Sequence, residues 1–452
     1  MINIKSDSRK IKKGDIFIAV QCEVNDGHKY INKAIENGAS KVIAEYGEYS
    51  IETLIVDDTR KYMNEYLQSN YNSILEKMTI IGITGTNGKT TSAYLIYQAL
   101  NKLGIKCAYI GTIGFYMDEK VMDLPNTNPD TCDMYDMIIT AHDKGYNYVV
   151  LEASSQGLAG GRLEGIPFDY AIFTNLTQDH LDYHKTMENY ALAKKILFEK
   201  LKENGKSILN YDDDYKKYFI TSNTIYYGMT GGDYKITSLE LTNTNTKLTI
   251  NNEYNFVSPL LGNYNAYNIL VVISLLSELG ISMKKISDNI KDLSSPPGRM
   301  DTIKYHDNSI IVDYAHTPDA FLNIIKTARE ITDKNIYVVF GCTGDRDRTK
   351  RPIMTKIVTD LATSAIITID DLHNEDPNQI VNDMISGLEN TNYEICLDRK
   401  EAIIRGINKL EHNDILLILG KGHEEAIIIK DKKIPFNDKR IALDYIKDKQ
   451  EV

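Results

Sequence analysis

Seven short apolar runs punctuate the chain, at 78–84, 148–154, 170–176, 310–316, 336–341, 365–370 and 414–420. Each stops at small or polar residues, turns, and usually gives way to a helix-like stretch. Strands of a parallel sheet read this way, because helices cover both faces and leave no solvent side to alternate with. The expected class is therefore α/β. In such sheets ligands bind beyond the carboxyl ends of the strands. Nearly every unusual residue cluster in this chain sits just after one of the seven runs.

At 452 residues, and roughly 150 per domain, about three domains are expected. Residues 1–76 hold short β-like pieces, at 15–20 and 41–44, around a helical stretch at 30–38. The segment 222–256 is rich in Thr and Asn and reads as a polar hairpin on a sheet edge. Ser294-Ser295-Pro296-Pro297-Gly298 reads as a rigid joint between domains. No apolar run approaches the roughly 20 residues of a membrane-spanning helix, and the N-terminus carries no signal-peptide core. A net charge of −11 disfavours a nucleic-acid-binding surface. The 5 cysteines are scattered with no Cys-x-x-Cys pair, which argues against a disulfide framework or a zinc finger and for a reducing cytosol. A cytoplasmic monomer with no membrane or nucleic-acid partner is expected.

The strongest local signal is Thr84-Gly85-Thr86-Asn87-Gly88-Lys89-Thr90-Thr91, placed between an apolar run and a helix-like stretch from Ser92 to Leu103. A glycine-rich turn there exposes backbone N–H groups that cradle phosphates, with Lys89 reaching the β/γ-phosphates and the Thr90 hydroxyl holding Mg²⁺. The strict pattern wants glycine at 83, where this chain has Ile83. Glu152 ends another run, and a carboxylate opposite a phosphate loop typically serves Mg²⁺; a helix cap is the plain alternative. The stretch 174–184 gathers Asp179, His180, Asp182 and His184. The two histidines are four apart and would share a face in a helix. On its own, Lys194 reads as a solvated helix lysine. Three further clusters follow apolar runs: Asp313-Tyr314-Ala315-His316, the basic run 344–352, and Gly420-Lys421-Gly422-His423-Glu424-Glu425. Arg and Lys crowded at strand ends suit anionic ligands.

Together these strings resemble the Mur ligases, ATP-dependent amide-forming enzymes of bacterial wall synthesis. The likeness is greatest to the branch that adds the third residue to a UDP-N-acetylmuramoyl dipeptide. It also rests on Asp7-Ser8-Arg9, Asp26-Gly27-His28, the segment 262–268, Pro297-Gly298-Arg299-Met300 and Asp313 through Asp319. The resemblance implies a three-domain architecture: a UDP-sugar domain at 1–76, a central P-loop ATPase at 77–298 and a C-terminal Rossmann-like domain at 299–452. It implies phosphorylation of a D-glutamyl carboxylate by ATP and attack of an amino group on the acyl phosphate. The partners implied are the UDP-N-acetylmuramoyl dipeptide and a free amino acid, with Mg²⁺ as cofactor.

Residue by residue, the resemblance puts Gly85, Thr86, Asn87, Gly88, Lys89, Thr90 and Thr91 on the phosphates. Asn265, Asn268, Arg299 and Asp313 fall on the rest of the nucleotide. Thr90, Glu152, His180 and a carbamylated Lys194 match metal positions, with Lys89, Lys194 and His180 catalytic. Ser8, Asn126, Thr127, Ser155 and Arg162 match the UDP-sugar dipeptide site. Arg346, Asp371, His373, Gly420 and Glu424 match the amino-acid site. Two other readings are a paralogue acting on a folate-like or poly-γ-glutamate acceptor, and a P-loop regulatory ATPase without ligase activity.

The sequence departs from the family in three places. Only six residues precede Asp7, where the family usually has a longer lead. The loop 21–25 replaces a glycine-led segment that contacts uridine. The family's Asp-Asn-Pro-Arg signature for meso-diaminopimelate reads Asp370-Asp371-Leu372-His373, and Glu375-Asp376-Pro377 after it keeps the register. His373 is shorter than arginine and carries little charge near neutral pH. Asp370, Asp371 and Glu375 make the neighbourhood acidic. The expected amino acid is therefore L-lysine or a similar diamino acid rather than meso-diaminopimelate.

Overall fold

The computed structural model describes residues 2–21, 26–242 and 244–450. Residues 22–25 of the departing loop, Cys22 among them, lie outside the described residues. The chain divides into two compact units, Met1–Lys235 and Ile236–Val452.

The first unit opens with a small parallel sheet of Ile4–Lys5, Ile16–Ile18, Lys41–Ala44 and Glu52–Ile55. The helix Ile31–Glu36 falls inside the expected 30–38 stretch. Its main sheet runs, in spatial order, Thr224–Gly228, Leu201–Asn210, Phe168–Phe173, Thr79–Thr84, Tyr148–Glu152, Cys107–Gly111, Gly114–Tyr116 and Lys120–Met122. The first six are parallel to their neighbours and the last two antiparallel. Thr79–Thr84 lies near the middle, buried beyond its first residue. Ile80, Ala108, Val149, Leu151, Phe168 and Phe173 belong to one continuous core.

In the second unit a six-stranded sheet runs Asp301–Tyr305, Asn308–Asp313, Ile415–Leu419, Ile336–Phe340, Ser364–Ile367 and Tyr393–Ile395, parallel except for the first pair. All seven apolar runs are therefore strands. Four of them, beginning at 148, 170, 310 and 365, end two or three residues before the apolar pattern does, because the residues after Glu152, Phe173, Asp313 and Ile367 leave the ladder for loops. Segment 222–256 is more than an edge hairpin. Thr224–Gly228 joins the parallel sheet, anchored by Tyr227, whose buried hydroxyl donates to the Phe173 carbonyl at 3.0 Å. Only Tyr234–Leu241, Thr246–Ile250 and Tyr254–Ser258 pair antiparallel. No described helix is long and apolar enough to cross a membrane. Cys107, Cys132, Cys342 and Cys396 are buried free thiols.

Candidate active site

The strand Thr79–Thr84 runs into the loop 85–88, and the helix Lys89–Lys102 begins at once. A Cβ on Gly85 would sit 1.9 Å from Thr174 Oγ1, so any side chain there would push the loop off the neighbouring strand end. That neighbour holds the loop in turn. Thr174 Oγ1 donates to the Asn87 carbonyl at 2.6 Å, and Asn87 N–H donates to Asn175 Oδ1 at 2.9 Å. The Lys89 ammonium donates to the Gly85 and Thr86 carbonyls, both at 2.9 Å. The loop thus opens at the positive end of a helix, where anions are favoured.

Thr90, one residue into that helix, donates its hydroxyl to Glu152 Oε2 at 2.8 Å. The Glu152 carboxylate is fully buried. Its Oε1 accepts from the Tyr109 hydroxyl at 2.5 Å and from Thr112 N–H at 2.9 Å, and its Oε2 also accepts from Thr112 Oγ1 at 3.1 Å. Hydroxyl and carboxylate oxygens gathered in this way match the oxygen ligands that Mg²⁺ takes.

Lys194 is not a solvated lysine. It is 1% exposed on the helix Met187–Glu199. Its Nζ donates to the Gly85 carbonyl at 2.8 Å and lies 4.3 Å from the centre of the Tyr190 ring. Burial pushes its ammonium well below the ordinary lysine range, the Lys89 charge adds to that, and Asp179 opposes it. The two histidines differ in exposure, although both rings meet Tyr190, His180 edge-on at 6.2 Å and His184 at 5.0 Å between ring centres. His180 has a left-handed backbone (φ 52°) and caps the helix Leu181–His184, its carbonyl accepting from His184 N–H at 2.9 Å. Its side chain is 47% exposed, with Nε2 3.4 Å from Asp179 Oδ2. His184 is buried, bonded to Ser155 Oγ at 2.9 Å and stacked on Tyr190.

Asn126 is exposed, whereas the Thr127 hydroxyl lies 3.1 Å from Thr112 Oγ1. Arg162 donates to the Asn128 carbonyl at 2.9 Å, and Asn128 itself reaches the Glu152 carbonyl at 2.6 Å. Asn128 thereby ties the expected dipeptide residues to the acidic one. Ser8 is buried in the small sheet's opening turn, its carbonyl accepting from Asn37 at 2.8 Å. Asn128, Tyr109 and Tyr190 escaped the sequence reading. The signal for Tyr190 was present, four residues before Lys194 and hence on its helix face. Tyr109 sits in an apolar strand that gives no such sign.

Within the second unit, Asn265 and Asn268 are buried in the helix Asn263–Glu278. Asn265 donates to the Leu261 carbonyl at 2.8 Å, and Asn268 donates to Asn265 Oδ1 at 2.9 Å. The Arg299 guanidinium lies 5.2 Å from the centre of the Tyr314 ring. Asp313 accepts from Met300 N–H at 2.7 Å and Ala315 N–H at 2.8 Å; burial raises its pKa, with Arg299 working against the rise. Asp371 and Glu424 are brought together by Lys421, which is 1% exposed and stands 2.8 Å from Asp371 Oδ1 and 2.6 Å from Glu424 Oε2. Gly420 precedes that lysine. Arg346 is exposed, while Arg348 and Arg351 pair with Asp383, and Arg351 also with Glu375. His373 is half-buried, its carbonyl accepting from Lys430 N–H at 2.6 Å.

Family models match two stretches, the Mur ligase middle domain at residues 83–276 and the Mur ligase glutamate ligase domain at 298–422. A relative from Fusobacterium nucleatum subsp. nucleatum is 43% identical, over 97% of this chain and 92% of its own. One from Clostridium botulinum is 39% identical, over 98% and 95%. Both are named UDP-N-acetylmuramoyl-L-alanyl-D-glutamate--2,6-diaminopimelate ligase. A solved structure with that name has a TM-score of 0.73 and 33% identity, covering 100% of this chain and 95% of that one.

These names overturn the expectation of lysine in place of meso-diaminopimelate, and the structure shows why the electrostatic reasoning failed. Asp371 is neutralised by Lys421 and accepts from Ile428 N–H at 2.8 Å. Asp370 accepts from Asp371 N–H at 2.6 Å, with Lys421 4.0 Å away, and Glu375 is forked to Arg351. Each of these carboxylates has a partner within the chain, so the acidic run in the sequence overstates the charge left to meet a substrate, although Lys421 is one cation shared with Asp371 and Glu424. With two family models matched and relatives of about this identity over nearly its whole length, the chain belongs to the Mur ligase family, the ATP-dependent amide ligases of peptidoglycan synthesis.

Proposed function

We propose that this ligase joins 2,6-diaminopimelate to UDP-N-acetylmuramoyl-L-alanyl-D-glutamate at the expense of ATP. The observation that carries the reading is the convergence of Lys89, Lys194 and the Thr90–Glu152 pair around one glycine-rich loop. The γ-phosphoryl group passes to the D-glutamyl carboxylate, an amino group then attacks the acyl carbon, and phosphate leaves. Lys89 exchanges its two carbonyl partners for phosphate oxygens and steadies their charge as it shifts. Thr90, Glu152, His180 and Lys194 are the residues that would hold Mg²⁺, which when bound neutralises phosphate charge. The buried Lys194 amine, in its neutral form, adds through nitrogen to the carbon of CO₂ and releases one N–H proton to solvent, and the carbamate formed offers oxygen where the amine offered none.

We assign Gly85 to Thr91, Asn265, Asn268, Arg299 and Asp313 to the nucleotide. Ser8, Asn126, Thr127, Ser155 and Arg162 go to the UDP-sugar dipeptide, and Arg346, Asp371, His373, Gly420 and Glu424 to the amino acid. The matched stretches 83–276 and 298–422 support functional modules at 77–298 and 299–452, and we assign 1–76 as a third. A monomer in the cytoplasm, where nucleotide-linked precursors are made, fits this role. The test is to incubate the protein with ATP, Mg²⁺ and the UDP-dipeptide, add a panel of amino acids that includes 2,6-diaminopimelate and lysine, and identify products by mass. A diaminopimelate tripeptide supports the reading, and its absence beside a different adduct rejects it.

A further inference from the structure

A single buried guanidinium spans two loops of the second unit. Arg399, first residue of the helix Arg399–Asn408, is 1% exposed, and Asp438, first residue of the helix Asp438–Gln450, is 0% exposed. They form a two-pronged pair, Nε to Oδ1 at 2.8 Å and Nη2 to Oδ2 at 2.7 Å. The rest of the fork reaches backbone. Nη1 donates to the Ile369 carbonyl and Nη2 to the Leu419 carbonyl, each at 3.0 Å.

Those two carbonyls immediately precede Asp370-Asp371 and Gly420-Lys421. Their strands, Ser364–Ile367 and Ile415–Leu419, are not neighbours, because Ile336–Phe340 lies between them. No ladder hydrogen bond joins them directly; the two are registered only through the strand between, where Phe340 pairs with both Ile367 and Leu419. Beyond the strand ends the loops meet closely. A Cβ on Gly420 would lie 2.4 Å from Asp370 Oδ2, and Lys421 bridges Asp371 to Glu424. Contacts this tight need the two strand ends in fixed register.

We propose that Arg399, oriented by Asp438, is a positioning residue for amino-acid binding: it sets the loop carrying Asp371 against the loop carrying Gly420 and Glu424. The inference rests on the assignment of those three residues to the amino acid. A buried ion pair is weak evidence of stability, since well-packed apolar replacements often serve as well. What an apolar pair cannot do is tie two carbonyls on separated strands. Lysine cannot either, for it lacks the planar fork.

The test uses the full-length enzyme with Arg399→Met/Asp438→Leu, which leaves no orphaned charge, and separately Arg399→Lys. With ATP and UDP-dipeptide saturating, the KM for the amino acid should rise at least tenfold. The KM for ATP and the acyl phosphate trapped by borohydride reduction in the absence of amino acid should stay within twofold of wild type. An unchanged amino-acid KM in a folded variant overturns the proposal, as does a parallel fall in acyl-phosphate formation. Should the double variant fail to fold, Arg399→Lys is read by the same criteria. If neither folds, the pair is a stability element and the proposal fails. Should wild type incorporate an amino acid other than diaminopimelate, the proposed substrate is wrong, and the clamp is judged with the amino acid that is used.

Discussion

Replacing Lys194 with methionine should separate chemistry from stability. The lysine makes one hydrogen bond, to the Gly85 carbonyl at 2.8 Å, worth about 1 kcal/mol net. That carbonyl keeps the Lys89 ammonium at 2.9 Å, so its loss strands no buried acceptor. Methionine fills similar space and removes a buried ionisable group, which offsets the bond. The net change should stay within about 1 kcal/mol, a Tm shift of roughly 2–4 °C for a unit of this size. Activity should behave otherwise. Loss of a group that stabilises transferring charge typically lowers kcat by about 10²–10³. Thermal melting and steady-state kinetics on the same preparation read both quantities. Bicarbonate should restore wild-type activity after CO₂ is stripped but leave Lys194→Met unchanged, and a short carboxylic acid should partly rescue Lys194→Ala. The depressed lysine also has a pH signature. Between its lowered value and the ordinary 10.5, the unfolded chain binds a proton the folded one does not, so in CO₂-free buffer stability rises with pH across that window. Lys194→Met should remove that slope. A variant with near-wild-type kcat, or one with a collapsed melting temperature, would refute the reasoning.

Lys89→Ala should abolish acyl-phosphate formation while the circular dichroism spectrum stays native; an unchanged kcat and KM for ATP would sink the phosphate assignment. Gly85→Ala should lose nucleotide binding measured by calorimetry, because its Cβ would meet Thr174 Oγ1 at 1.9 Å; wild-type affinity would show that the loop can shift freely. Tyr109→Phe removes one donor to Glu152, and a several-fold higher Mg²⁺ requirement with an unchanged ATP KM is the expected outcome, checked by a Mg²⁺ titration of the steady-state rate. Equal concentrations of lysine and 2,6-diaminopimelate should yield chiefly the diaminopimelate product by mass; a lysine product in excess would reverse the substrate assignment.

The strands were legible because both their faces are buried, which leaves an unbroken apolar signature from Thr79 to Thr84 and from Ile415 to Leu419. The glycine-rich loop was legible because phosphate cradles demand a particular order of residue types. What escaped was pairing at a distance. The acidity of Asp370, Asp371 and Glu375 is plain in the sequence, but Lys421 and Arg351, which pair with two of them, lie apart along the chain. Lys194 looked solvated because helical spacing cannot tell a core-facing lysine from an outward one without the tyrosine beneath it.

The Gly85 carbonyl accepts from two lysine side chains at once. In this arrangement Lys89 is not a loose arm awaiting its ligand; it is held by its own loop. A ligand that takes that lysine must displace the Gly85 and Thr86 carbonyls, and the Gly85 carbonyl then keeps a donor in Lys194. The bonds of Lys89 to those carbonyls are already charge-assisted through the ammonium, so a ligand gains on them only by bringing negative charge of its own. The occupied resting state of this lysine therefore selects for anionic ligands over neutral ones.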